Sequence, residues 1–163
     1  MKMTRHFFFI CLFFIFFLSD LLPVSSQDYT TYCNPRYGFC VDYPTSFSMA
    51  QAPDNGDGIH LSDKKGCILT VSGINNVSAD TLESEMLQQS GNFAQITYRK
   101  KGTNWFVLSG FKGSDILYLK TFIGTESINH LYMRYPSSSK TVYDPIVGKI
   151  SFSFRPGDIK VAH

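Results

Sequence analysis

Cys33 and Cys40 stand in the stretch YCNPRYGFCVDYP (32–44), the first place in the chain where chemistry is conceivable. A structural zinc site pairs its cysteines about two to four residues apart and repeats the pair downstream. A redox pair prefers C-x-x-C with a lowered thiol pKa. The spacing here suits neither, and His60, His130 and His163 do not cluster in sequence. A disulfide needs Cα atoms about 4.4–6.8 Å apart. Asn34, Pro35 and Gly38 are turn residues able to fold the intervening segment back on itself. Cys33–Cys40 is therefore the expected bridge, with Cys40–Cys67 as the rival pairing. Of the three cysteines that follow residue 26, either choice leaves one over; Cys11 lies in the apolar N-terminal run.

Other candidate chemistry is thinner. PDNGDG (53–58) offers oxygens from Asp54, Asn55 and Asp57, but Gly56 breaks the alternation an EF-hand loop needs and no Glu follows in place. Ser109 lies in VLSGF, within a strand pattern and without the strand-to-helix elbow of a G-x-S-x-G nucleophile. Asn76-Val77-Ser78 fits an N-glycosylation acceptor, which matters only in a eukaryotic secretory route. No spacing selects a pair of acidic residues for glycoside chemistry. The sequence thus calls for no metal and no cofactor. Formal net charge is +2 and the densest basic cluster is RKKG at 99–102, short of the basic stripe of a nucleic-acid binder.

One group of side chains remains for recognition: Trp105, Tyr118, Lys120, Tyr132 and Arg134, to which His130 is a neighbour. Trp, Tyr and Arg dominate interface hot spots, and Lys120 and Arg134 could donate to an anionic group. The structural alternative is a sheet face half covered by a helix, its basic side chains reaching out to water.

The elements that must position these residues follow from periodicity. Tyr37, Phe39, Val41 and Tyr43 alternate in a strand closed by Pro44. Ile59–Leu61 and Cys67–Ser72 read as two short strands joined by a turn. Asp80 with Glu83 makes a capping pattern for a helix over about 80–90, with Leu82, Met86 and Leu87 inward. Gln95–Arg99, Trp105–Gly110, Ile116–Ile123 and Ile128–Tyr135 then form an antiparallel meander. Phe106, Leu108, Leu117, Leu119, Ile123, Leu131, Met133 and Tyr135 are expected on its core side, and the recognition group with His130 on the other. A last helix starts with Asp144 as N-cap and Pro145 at the first helical position, ending near Phe152.

Before all of this stands a leader. Lys2 and Arg5 precede the apolar run Phe7–Phe17, and Pro23-Val24-Ser25-Ser26 supplies small residues. This is the pattern of a secretory signal peptide, with cleavage expected after Ser26; the run is short of the roughly 20 apolar residues that span a bilayer. Retention as an anchor is the competing outcome. The organisation is then 1–26 signal peptide, 27–36 loose N-terminal segment, 37–156 a single α+β domain and 157–163 a polar tail, secreted or periplasmic.

RYGFCVDYP, PDNGDG, NWFVLSG, ILYLKT, RYP and YDPIVGKISFSFRP occur in that order. Together they resemble a family of small exported bacterial proteins of unassigned function, over about residues 33–156. The resemblance implies the PsbP/Mog type of fold, an antiparallel β-sheet flanked by helices in an α/β/α sandwich. It also implies a non-enzymatic module and argues against a eukaryotic source. The better-known relatives of that fold, an extrinsic photosystem subunit and a Ran-binding protein, bind or help assemble partners; no defining residue of theirs can be placed here. The expectation is an exported binding or assembly module for a protein partner or a small anionic ligand, without nucleic-acid binding or stable membrane insertion after signal cleavage. The competing reading is a small exported hydrolase, which needs a site where Ser109, His130 or His60 converge with a titratable partner.

Overall fold

The computed structural model of the chain describes residues 27–50 and 55–157. The expected signal peptide, Asp54 of the PDNGDG loop and nearly all of the polar tail lie outside the described residues.

Among the described residues nine strands and two α-helices follow one another: β1 (Tyr29–Cys33), β2 (Cys40–Pro44), β3 (Ser48–Met49), β4 (Gly58–Ser62), β5 (Ile68–Asn75), α1 (Leu82–Ser90), β6 (Gln95–Lys101), β7 (Trp105–Lys112), β8 (Asp115–Ile123), β9 (Ser127–Pro136) and α2 (Lys140–Ser153). β3 to β9 form one sheet in the order β3-β4-β5-β9-β8-β7-β6, with every pair antiparallel. The short turns of the β6–β9 meander dictate that pairing, as their length allows nothing else. The fold is α+β.

β1 and β2 make a separate hairpin, so the segment expected to be loose is ordered. Its turn is built by Asn34, whose Oδ1 accepts from the backbone N–H groups of Arg36 (2.9 Å) and Tyr37 (2.8 Å). Gly38 supplies the left-handed residue at φ 69°, and Cys33–Cys40 close the hairpin as a disulfide. That glycine also delays the second strand to Cys40 rather than Tyr37. Cys67, the rival partner, is a free thiol in the core.

Both faces of the large sheet carry a buried apolar cluster, so the residues expected together on one core side are divided between the two. One face carries Leu69, Val71, Leu131, Met133, Tyr135 and Ile116 against Tyr143, Val147 and Ile150 of α2, with Phe39 and Val41 of the hairpin arm closing over them. The other carries Phe106, Leu108, Leu119 and Ile128 against Leu82 and Met86 of α1. Pairing places Tyr118 opposite Met133 and Lys120 opposite Leu131, so the apolar set of β9 faces α2 while Leu117 and Leu119 of β8 face away. A strand buried on both sides has no polar phase to reveal its orientation.

The helix starts also differ. α1 begins one residue late, capped by Thr81, whose hydroxyl accepts from Ser84 N–H (3.2 Å) while Thr81 N–H donates to Ser84 Oγ (2.9 Å). Asp80 is held instead by its N–H to Asn76 Oδ1 at 2.7 Å. Leu87, expected inward, is exposed, since it lies well round the helix from the Leu82–Met86 stripe. α2 begins at Lys140 rather than at Pro145, which sits inside the helix. Pro145 leaves the Thr141 carbonyl without its helical donor. The first turn is nevertheless fixed from outside: Tyr143 is buried and its hydroxyl donates to Asp63 Oδ2 at 2.6 Å. Asp144 accepts from Tyr135 and pairs with Lys140 instead of capping.

Candidate functional site

The sheet register splits the expected recognition group. Trp105, Tyr118 and Lys120 point to the α2 side, and Tyr132 and Arg134 to the α1 side. Tyr132 packs partly buried against the cluster under α1. Arg134 is engaged, its Nε lying 3.6 Å from Asp115 Oδ2. The five therefore never formed one face; only the first three share a surface.

Those three line a groove. α2 packs on β9, β8 and the hairpin strand β2, leaving the α2-facing side of β7 and β6 as an open floor beside the helix. Two concavities adjoin there. A cavity of about 370 Å³ is lined by residues including Tyr98, Phe111, Ile116, Tyr118, Tyr135 and Asp144. The adjoining one, about 490 Å³, is lined by residues including Lys100, Trp105, Val107, Lys120, Phe122 and Phe152. They share Tyr98, Tyr118 and Gly148. α2 rises about 1.5 Å per residue, so it flanks the two over about 18 Å from Lys140 to Phe152.

Each lining residue is set by pleat and pairing. Val107 lies opposite Lys120 on one side and Lys100 on the other, and Ser109 lies opposite Tyr118 and Tyr98. Residues two apart on each strand thus fall on one floor. Gly148 opens the wall, because a Cβ placed there would meet nothing within 4 Å. At the rim Phe152 is 91% exposed, an unusual state for a ring on a packed helix.

The polar groups have defined partners. The Tyr118 hydroxyl bonds Ser151 Oγ at 2.5 Å, and burial raises its pKa. Lys120 donates to the Ser151 carbonyl at 2.7 Å and lies 5.0 Å from the centre of the Phe122 ring. Burial lowers the pKa of this lysine. Among the described residues, no carboxylate lies within ion-pair distance of Lys120 or Lys100. Asp144, at the far end, is taken by Lys140 and by the Tyr135 hydroxyl.

The groove offers concavity, aromatic surface and an unpaired cation, which suit binding. Ser109 borders it, but its hydroxyl donates to the Leu117 carbonyl at 3.0 Å. His130 and His60 project from the opposite face of the sheet, so neither can serve Ser109 as a base. His130 instead lies between Thr121 Oγ1, 3.0 Å from Nδ1, and the buried Glu85 carboxylate, 3.6 Å from Nε2. In the PDNGDG loop the place of a cation is taken by Arg36, whose Nη1 lies 2.7 Å from Asp57 Oδ1 and donates to the Asn55 carbonyl at 2.9 Å.

Tyr98, Gly148 and Phe152 were not anticipated. The signal for two of them was present: Gly148 interrupts an apolar helix, and Phe152 lies off the Tyr143–Val147–Ile150 stripe.

The architecture defines the class: this is a PsbP-like fold. Its match to the solution structure of cyanobacterial PsbP (CyanoP) from Synechocystis sp. PCC 6803 has a TM-score of 0.60 at 11% sequence identity, covering 85% of this chain and 98% of that one. A crystal structure from Bacteroides thetaiotaomicron VPI-5482 matches with a TM-score of 0.52 at 14% identity, over 80% of this chain and 49% of its own. No family model and no curated protein matches the sequence. The likeness is one of fold.

Proposed function

We propose that this chain is an exported, non-enzymatic binding or assembly module that takes its ligand in the groove between α2 and the β6–β8 part of the sheet. The observation carrying this reading is the concavity of about 490 Å³ that brings Trp105, Tyr118 and Lys120 together with Gly148 and the exposed Phe152. In this reading the fold is an α/β/α sandwich whose α2 side is one element short of full cover, and the gap is the site. Concave, mostly aromatic surfaces with a few placed polar groups are where ligands bind. Export is supported by the leader pattern and by a disulfide, which persists in oxidising compartments.

Native mass spectrometry of the protein, isolated without denaturant, tests the reading. A stoichiometric small ligand or partner protein is expected on the wild type and absent from Gly148→Phe, whose ring would occupy the open wall. The same bound species on a folded Gly148→Phe protein would sink it.

A further inference from the structure

We infer that the groove takes an amphipathic anion, with a carboxylate or sulfonate head at Lys120 and an apolar body laid along Trp105, Val107 and Phe122 toward Gly148. This inference rests on the groove reading above and names the chemistry of its ligand.

Three observations point the same way. The first is charge. Lys120 is half-buried and commits one N–H to the Ser151 carbonyl, and an ammonium has three to give. Lys100 lies across Val107 from it, in the same row of the floor. Neither lysine has a carboxylate partner among the described residues. A partly desolvated cation without a counter-ion is costly, and burial already weakens its hold on the proton. An incoming anion would relieve both.

The second is the floor. Val107 is buried, and Trp105 and Phe122 are half-buried on the same side of adjacent strands, paired directly with one another. Such a floor offers ring and methyl faces, not backbone donors. An extended peptide would bring amide groups that this surface leaves unpaired, whereas a hydrocarbon or aryl body brings none. The third is size. The cavity at this end, about 490 Å³, falls in the range of small-molecule sites, roughly 300–1,000 Å³.

Trp105 is the chain's single tryptophan, so its emission reports this floor alone. Dodecanoate and its neutral analogue dodecanol, titrated below their aggregation concentrations, test the inference. Dodecanoate is expected to shift Trp105 emission saturably and to bind at least about tenfold more tightly than dodecanol, the margin of one hydrogen bond to a charged group. Lys120→Met is expected to erase that margin while dodecanol affinity stays within about twofold. Equal affinities for the two probes on the wild type would overturn the anionic head, and this comparison needs no variant to fold. Absence of any saturable response to dodecanoate would overturn the ligand class. If native mass spectrometry meanwhile finds a species lost on Gly148→Phe, the groove stands and only its assigned ligand falls.

Discussion

His130 hangs from β9 into the layer beneath α1, where Thr121 of β8 and the buried Glu85 of α1 face its two ring nitrogens. Burial lowers its pKa to about 4, against 6.5 in an open chain. Between those values the unfolded chain holds the extra proton and the folded one does not, so stability rises with pH across that window and is lost as pH falls through it. Chemical denaturation from pH 7 down to 4 is expected to show a loss of up to about 3 kcal/mol from this group. His130→Gln should flatten that part of the profile; an unchanged profile would remove His130 as its source. Other polar side chains serve as brackets. Asn76, the asparagine of the apparent glycosylation motif, is buried, with Nδ2 donating to the carbonyls of Asp80 (3.1 Å) and Gly124 (2.8 Å). Its amide fastens the start of α1 to the β8–β9 turn. Burial pushes the Cys67 thiol up to about 12, with Asp63 adding to the effect, which fits a cysteine that packs rather than reacts.

At the scale of elements, the β1–β2 hairpin and α2 are the parts that complete the α2 side of the fold. The hairpin reaches the end of α2 through paired backbone bonds between Cys40 and Arg155, 3.0 Å each way. Its disulfide closes a short loop, and Cys33→Ser with Cys40→Ser is expected to cost about 2–3 kcal/mol in the chain-entropy account. A urea midpoint unchanged in the double variant would show the hydrogen-bonded turn at Asn34 to be sufficient alone. α2 carries two helix-weakening residues, Pro145 and Gly148. With nothing within 4 Å of a Cβ at Gly148, Gly148→Ala should raise stability by about 0.8–1 kcal/mol. A lower melting temperature would mean that the wall is not open.

Over the whole molecule, one sheet carries two apolar clusters, and alternate residues of β8 and β9 contribute to both. Neither layer can loosen without disturbing strands the other depends on. Leu131→Ala on the α2 side and Leu108→Ala on the α1 side are each expected to cost about 2–5 kcal/mol. Trp105 emission and far-ultraviolet circular dichroism should still trace one coincident transition in both variants. Separate transitions would show two independently melting layers. The groove belongs to this scale as well, because it exists where α2 stops short of β7 and β6.

Most elements were legible from local pattern: both helices, the four-strand meander and the Cys33–Cys40 staple follow from period, caps and turn residues. The cap of α1 slipped by one residue because Asp80–Glu83 and Thr81–Ser84 both fit the pattern, and only the bond from Asp80 N–H to Asn76 decides between them. Pro145 misled for a related reason, since the buried Tyr143 and its bond to Asp63, 80 residues away in sequence, hold the helix start ahead of it. The expected recognition group was not one face. Trp105, Tyr118 and Lys120 do line one surface, and Tyr132 and Arg134 face away from it. The sequence by itself determined most of the strands and both helices, though not β1, β3 or the start of α2, and which cysteines could meet, because those depend on neighbours within a few residues. Only the tertiary structure decided which face each strand of the meander presents and where a groove is left, because a sheet buried on both sides carries no polar phase and the reach of α2 is set by packing.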